Sequence, residues 1–153
     1  MAISEFVGVI GLVFGVTGTV LGVLNYLRDR AKVIVGLQWD MQETPTMSSS
    51  VEKLYGVVRV TNVGRRPTYV SHAALRIPRG RKYSRLLLGD SIAGTKLTEG
   101  DSTHIWMVTQ DGLVEYADCW REVVAEVSDH TGKIWCSKKL RKDQAPSWAR
   151  SKK

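Results

Sequence analysis

Only two cysteines occur among the 153 residues, Cys119 and Cys136, and both lie in the last third of the chain. In a cytoplasmic domain such cysteines stay reduced and pack as small apolar residues. We therefore expect two free thiols. A disulfide between them would require the domain to lie outside the cytoplasm.

Patterns that carry catalytic or metal chemistry are also lacking. No glycine precedes Lys-Ser or Lys-Thr, so a phosphate loop is not predicted. The three histidines, His72, His104 and His130, lack metal-ligand spacing and are expected in structural or surface roles. Gly89-Asp-Ser91 resembles the nucleophile block of one esterase family, without its position in the domain or its partner histidine, and is expected to be a loop. The sequence predicts no enzymatic activity, no metal and no cofactor, although distant residues can converge in a fold.

A secretory signal is not predicted either. Residues 1–5 contain Glu5 and no lysine or arginine, and no small-residue cleavage pattern follows the apolar run. That run, residues 6–27, has 22 residues and no charged side chain. As a helix it reaches about 33 Å, against a bilayer core of about 30 Å. The sequence predicts one transmembrane helix, with a buried helix of a soluble protein as the less favoured alternative.

Glycines mark one side of this helix. They recur at alternating steps of three and four residues, and at about 100° per residue they share an arc of about 100°. Small residues let membrane helices approach closely, so the helix is predicted to self-associate. The alternative is a passive anchor, because glycine is common in membrane helices. The predicted contact residues are Gly8, Gly11, Gly15, Gly18, Gly22 and Asn25.

Three cations, Arg28, Arg30 and Lys32, follow the apolar run, whereas Glu5 precedes it. Positive residues beside a membrane helix stay on the cytoplasmic side. We expect a single-pass protein of the plasma membrane, the inner membrane of a bacterial cell, with a cytoplasmic C-terminal domain. The three cations are expected at the lipid surface.

After the helix, apolar and polar residues alternate in short runs, which predicts half-buried strands. Residues 43–50 and 89–94 are predicted loops, and 111–120 is a short helix or an irregular crossover. The predicted strands are 33–41, 53–62, 68–77, 82–88, 95–97, 103–108, 121–128 and 133–140. Inner faces are predicted by residue in four strands: Val33, Val35, Leu37, Trp39 and Met41 in the first, Leu54, Val58 and Val60 in the second, Tyr69, Ala73, Leu75 and Ile77 in the third, and Val123, Ala125 and Val127 in the seventh.

Eight short strands with no long helix between them predict a mainly β fold, an antiparallel β-sandwich. In strand number and spacing the pattern resembles the immunoglobulin-like architecture, although the Cys-Trp-Cys framework of true immunoglobulin domains is missing. The predicted organisation is an N-terminal transmembrane anchor helix with a basic juxtamembrane flank (1–31), a β-sandwich domain (32–140) and a basic flexible tail with little reason to pack (141–153).

The net charge of +7 comes from the ends, because residues 33–137 carry 12 cations and 12 acids. The strongest local cluster, here called the arginine hairpin, is a candidate contact for an anion, a phosphate or a partner. The alternative is a solvated hairpin that pairs with acids of the second half. A lone Tyr83 makes nucleic acid or nucleotide a less favoured partner. The cluster contains Arg76, Arg79, Arg81, Lys82 and Arg85.

Together these features predict a membrane-anchored, non-enzymatic binding module that self-associates through its helix. Cations dominate residues 59–96 and acids dominate 97–129, which favours head-to-tail contact between copies unless the charges pair within one molecule. The alternative is an oligomeric membrane-disrupting effector whose sandwich is a sensor, a layout similar to small proteins of bacterial antiphage systems. Expected partners are membrane lipid, further copies of the chain and a protein.

Overall fold

The computed structural model describes residues 3–42 and 53–150, which form one long helix followed by short antiparallel strands. Helix α1 is Ile3–Arg28, and a one-turn helix, α2, is Ser147–Arg150. The strands are β1 (Val33–Gln42), β2 (Leu54–Asn62), β3 (Thr68–Arg76), β4 (Arg85–Leu87), β5 (Thr95–Leu97), β6 (His104–Thr109), β7 (Val124–Asp129) and β8 (Ile134–Cys136). Single 3₁₀ turns lie at Gly89–Ser91, Leu113–Tyr116, Trp120–Glu122 and Lys142–Gln144. The predicted loop at 43–50 lies outside the described residues.

Helix α1 confirms the predicted helix, and it does not pack on the strands. Every side chain from Val7 to Leu27 is exposed. Soluble monomers rarely expose apolar surface of this extent. Val7–Leu27 is long and apolar enough to cross a membrane, as judged by length and composition.

The strands form two antiparallel sheets. One has the order β1-β2-β6, and the other has the order β4-β3-β7-β8. Strand β5 pairs with the first half of β3, and β4 pairs with its second half. The mainly β prediction with antiparallel sheets is therefore confirmed.

The core contains alternate residues from both sheets. Valine dominates it, because a β-branched side chain packs well on a pleated, half-buried surface. Side chains that are fully or nearly fully buried include Val58, Val60, Val70, Ala73, Leu75, Val123, Ala125 and Val127.

A β-bulge interrupts β1 at Trp39 and Asp40, which together face Gly56 of β2. A bulge adds one residue to one strand and reverses the alternation beyond it. The predicted inner face of β1 is therefore correct at Val33, Val35 and Leu37, which are buried, and wrong at Met41, which is exposed. On β2 the prediction is correct at the buried Val58 and Val60 and wrong at the exposed Leu54, which pairs with Gln42 beyond the bulge. Trp39 remains packed against the core.

A second bulge, at Ser71 in β3, has the same effect on the third strand. Ala73, Leu75 and Ile77 are buried as predicted. Tyr69 lies on the other side of the bulge and is 50% exposed, so its predicted place on the inner face is wrong.

Three predicted strands are shorter in the structure. The run at 82–88 is a strand only at Arg85–Leu87, and the run at 133–140 only at Ile134–Cys136. The run at 121–128 begins as a 3₁₀ turn, and its strand starts at Val124. The predicted irregular segment 111–120 contains the 3₁₀ turn Leu113–Tyr116, in agreement with the sequence.

The prediction that residues after 140 have little reason to pack is wrong for the described part, up to residue 150. Trp148 is 4% exposed and meets Trp39 edge to face, with ring centroids 5.5 Å apart. The bulge gives Asp40 a positive φ of 58°, and its carboxylate accepts hydrogen bonds from the amide and the hydroxyl of Ser147. An apolar ring and a capped turn thus hold the segment on the domain.

Antiparallel pairing defines two ends of the β domain. The helix-proximal end contains the start of β1, the β2–β3 turn at 63–67 and the β7–β8 turn at 130–133. The distal end contains the segment 77–84 between β3 and β4. At about 3.3 Å per residue, the nine residues of β3 separate the two ends by about 30 Å.

Candidate functional site

None of the described residues covers the glycine face of α1. A Cβ atom built on Gly8, Gly11, Gly15, Gly18 or Gly22 would have no neighbouring atom within 4 Å outside the backbone of the helix itself. The face is therefore a smooth strip of backbone, available to whatever surrounds the helix.

Thr19 lies beside this strip, and its hydroxyl is already satisfied. The hydroxyl donates to the carbonyl oxygen of Gly15 at 2.9 Å. This bond lowers the cost of placing a threonine in an apolar setting, because the polar group keeps a partner. Leu12, Val16 and Val20 rise on one side of Gly11 and Gly15, so the strip forms the floor of a shallow groove.

The base of α1 is joined closely to the β domain. A Cβ atom on Gly64 would lie 2.2 Å from the carbonyl oxygen of Arg30 and 2.4 Å from the amide nitrogen of Lys32. The amide of Val63 donates to the carbonyl of Lys32 at 2.8 Å. Only glycine allows backbone to approach backbone this closely. We call this contact the joint.

Asn62 holds the β2–β3 turn in the shape that the joint requires. This residue is 3% exposed. Its amide group donates to the carbonyls of Arg66 and Leu97, and its side-chain oxygen accepts the amide of Gly64. A buried side-chain amide with these partners fixes a turn that has few backbone bonds of its own.

The predicted lipid-surface cations follow one another along the joint. Arg28 is the last residue of α1. The exposed Arg30 places its guanidinium 4.8 Å from the centroid of the Tyr26 ring. Lys32 is exposed and contributes its carbonyl to the joint. Asn25, the last of the predicted self-association residues, is exposed, and its backbone carbonyl accepts the amide of Asp29 in the last turn of the helix.

The arginine hairpin pairs with acids of the same molecule. Arg85 donates to the carboxylate of Glu126 at 2.6 Å, and Arg76 lies 3.7 Å from the other oxygen. Arg81 is paired with Asp118. The hydrogen bond that Arg85 donates to Glu126 raises the pKa of Arg85. Strand β3 lies between β4 and β7, which brings Arg85 and Arg76 to Glu126. This part of the charge segregation in the sequence is therefore neutralised within one chain.

The rest of the hairpin remains available. Arg79 and Lys82 are exposed, and none of the described residues offers either one a carboxylate at ion-pair distance. Arg79 lies in the wall of a surface pocket with Arg76, Arg85 and Lys139. The hairpin belongs to the distal end, about 30 Å from the base of α1.

Ser91 is structural. It is fully buried, its hydroxyl accepts the amide of Ala73 at 2.8 Å, and it lies 2.6 Å from the carbonyl of Leu88. Gly89–Ser91 is a 3₁₀ turn within the predicted loop. A hydroxyl occupied on both sides has no path to a substrate.

The histidines do not converge on one site. His72 bonds to Ser71, His104 packs on Trp106, and His130 faces Tyr69. Among residues 3–42 and 53–150, no group of three His, Cys, Asp or Glu side chains is placed to hold a metal ion.

Both cysteines are free thiols, and they differ in burial. Cys119 is half-buried, and burial raises the pKa of its thiol, which makes it a weak nucleophile. Cys136 is exposed, so the prediction that it packs as a small apolar residue is wrong. Its strand β8 lies at the end of the sheet order, where alternate side chains face outward.

A pocket at the helix-proximal end is a feature that the sequence did not indicate. It has a volume of about 460 Å³ and lies where the segment after α1 meets two turns. Arg66 and Lys133 line it, and neither was a candidate residue. The only signal was indirect: both follow turn residues at strand ends that antiparallel pairing brings together.

These features define a class by geometry: an exposed apolar helix joined closely to two antiparallel sheets. Compared with protein families, curated proteins and solved structures, the chain matches none.

Proposed function

We propose that the protein is a single-pass membrane protein whose β domain is a non-enzymatic interaction module. Helix α1 is the anchor. The cations at its end and just beyond it, Arg28, Arg30 and Lys32, favour a cytoplasmic β domain beneath the plasma membrane.

We further propose that the β domain is an immunoglobulin-like sandwich. In such sandwiches strands A, B and E share one sheet, and C, F and G share the other, with C′ added beside C. The order β1-β2-β6 corresponds to A-B-E, and β4-β3-β7-β8 corresponds to C′-C-F-G. This correspondence supports the proposal by strand order alone.

Self-association through the glycine face is the activity proposed for the anchor. The observation that carries it is the uncovered strip at Gly8, Gly11, Gly15, Gly18 and Gly22. In lipid, helices associate through close packing and not through the hydrophobic effect. A second copy of α1 would fill the groove beside Gly11 and Gly15.

The distal end is the proposed contact for a protein partner. Its exposed Arg79 and Lys82 would meet an acidic surface. Pairing of Arg76, Arg81 and Arg85 within the chain weakens the case for head-to-tail contact between copies. The partner is therefore proposed to be a different protein.

The test compares oligomeric state in detergent for the intact chain, Gly15→Leu and Val13→Leu. Both variants introduce the same side chain, and Val13 lies about 160° around the helix from Gly15. We expect Gly15→Leu to weaken association about tenfold, or ~1.4 kcal/mol, and Val13→Leu to leave it unchanged. If all three chains are monomeric, or both variants behave alike, the glycine face does not drive association.

The same preparations address the membrane-disrupting effector, which remains a prediction from the sequence. The readout is dye release from vesicles that contain the intact chain or Gly15→Leu. If the protein is an interaction module, we expect no dye release from vesicles that contain either chain. Release that Gly15→Leu abolishes would favour the effector.

A further inference from the structure

The helix-proximal pocket collects cations from three separate segments. Arg30 follows α1, Arg66 belongs to the β2–β3 turn, and Lys133 belongs to the β7–β8 turn. Tyr69, half-exposed, forms another part of the wall. Cations far apart in sequence thus share a cavity of about 460 Å³, large enough for a phosphate and its substituents.

Among the described residues, Asp129 is the one carboxylate that lines the pocket, and its own turn occupies one of its oxygens. Its Oδ1 accepts the amide and the hydroxyl of Thr131, at 2.9 and 2.7 Å, and the amide of Lys133 at 2.9 Å. Burial raises the pKa of Asp129, but these hydrogen bonds outweigh it and the pKa is lowered. One oxygen of the carboxylate is therefore occupied by the turn, and its charge offsets one of the three cations of the pocket.

Arg66 has an acidic partner that an anion can replace. It lies 3.3 Å from Asp29, and both side chains are more than half exposed. Exposed pairs of this kind contribute little and exchange readily. Lys133 lies over the Trp135 ring at 5.0 Å, and the charge of Asp129 attracts it. Arg30 and Arg66 remain in excess over this carboxylate in the pocket.

The pocket lies at the level where an anchored helix would leave the hydrocarbon. Arg30 is three residues beyond Leu27, the end of the apolar span, which is at most about 10 Å of chain. Its guanidinium turns back over Tyr26 in the last turns of α1. The polar headgroup layer begins at this depth.

We propose that this pocket binds the phosphate of an anionic phospholipid headgroup from the leaflet where α1 ends. Arg30, Arg66 and Lys133 hold the phosphate oxygens, and the phenol ring of Tyr69 packs against the rest of the headgroup. The inference rests on the proposed function, because it requires α1 to span the membrane.

The experiment measures retention of phosphatidylglycerol and of phosphatidylcholine by the full chain in detergent, using native mass spectrometry. The variants are Arg66→Gln and Lys133→Gln. The matched control is Lys82→Gln, because Lys82 also lies over a neighbouring ring, at 5.1 Å from the centroid of Tyr83, but at the distal end. A further arm adds millimolar inorganic phosphate.

We expect phosphatidylglycerol to be preferred, and each pocket variant to lower that preference about fivefold, as for loss of one cation near a membrane surface. Lys82→Gln should retain the preference, and inorganic phosphate should not displace the lipid. Equal retention of both lipids, an equal loss in Lys82→Gln, or displacement by inorganic phosphate would overturn the proposal.

Alkaline extraction of membranes that contain the full chain tests the membrane anchor separately from the phospholipid site. If the chain resists extraction but shows no preference for the anionic lipid, the pocket proposal fails and the anchor stands. If alkali releases the chain, the anchor fails and the lipid site fails with it.

Discussion

A methyl group added at Gly64 would clash with the backbone that joins α1 to the β domain. The nearest atoms to its Cβ, at 2.2, 2.4 and 3.0 Å, all belong to the backbone of residues 30–32. Backbone cannot rotate away as a side chain can. Gly64→Ala must therefore open the joint between α1 and the β domain.

The expected cost follows from what the opening breaks. Forcing a methyl group into a filled contact costs about 1–3 kcal/mol. Loss of the hydrogen bond from Val63 to Lys32 adds about 1 kcal/mol. We expect the free energy of unfolding of the full chain to fall by about 2–4 kcal/mol.

The assay combines urea unfolding of the full chain in detergent with hydrogen exchange at the amide of Val63. Exchange at this amide should accelerate, because its acceptor is the carbonyl of Lys32. The matched control is Gly36→Ala. Its Cβ would meet Arg59 at 3.8 Å, which is an ordinary contact.

A specific result would refute the reasoning. If Gly64→Ala unfolds at the same urea concentration as Gly36→Ala, and the amide of Val63 keeps its protection, the two backbones do not touch in solution. Faster exchange without a loss of stability would show that the joint opens at little cost, and the calculated magnitude would then be wrong.

Two further predictions concern the ion pair of Glu126 and the hydrogen bonds of Asp40. Arg85→Met leaves the carboxylate of Glu126, which is 3% exposed, with only the longer contact to Arg76. We expect the midpoint of urea unfolding to fall, because a buried carboxylate loses its close partner. The control Arg79→Met removes an exposed cation and should change stability by no more than about 0.5 kcal/mol. If Arg85→Met and Arg79→Met lose the same stability, the Arg85–Glu126 pair does not stabilise the fold. Asp40→Ala removes the acceptor that holds the segment at 147–150 and should cost about 1–2 kcal/mol. Limited proteolysis should then cleave this segment faster. Asparagine tolerates positive φ, so the cleavage rate of Asp40→Asn should lie between those of the unchanged protein and Asp40→Ala. Unchanged cleavage in Asp40→Ala would contradict the role of Asp40 as the acceptor that holds the segment.

Composition and period were sufficient to predict the helix and most of the strands. Twenty-two residues without charge predict α1, because their length fits a bilayer and a single segment in lipid satisfies its backbone groups only as a helix. The alternation Val33-Val35-Leu37 predicts β1, because its period matches the pleat. Such signals are local and need no knowledge of the neighbouring strand.

The bulges could not be predicted from the same signals. A bulge exists only relative to its partner strand, and Trp39 and Asp40 look like two more residues of an alternating run. The consequence extends beyond the bulge, because Met41 faces outward and Asp40 can reach Ser147. Tyr69 was assigned to the wrong side for the same reason.

The candidate sites also differ in whether they depend on one element or on several. The glycine strip could be read from spacing, since it lies on one helix. The pairing of Arg85 with Glu126 depends on β4, β3 and β7 lying side by side, and the sequence offered it only as an alternative. The pocket of Arg30, Arg66 and Lys133 requires three segments to meet, which no local pattern encodes.

The contact between Trp39 and Trp148 can form only late in synthesis of the chain. These rings come from the first strand of the domain and from a turn more than 100 residues later. At about 5–20 residues per second, a ribosome needs roughly 5–20 s to make the second after the first. During that interval α1 is already complete while the ring of Trp39 still awaits its neighbour. Closure of the β domain is thus a late event, and it takes place on a chain whose apolar helix has long since emerged.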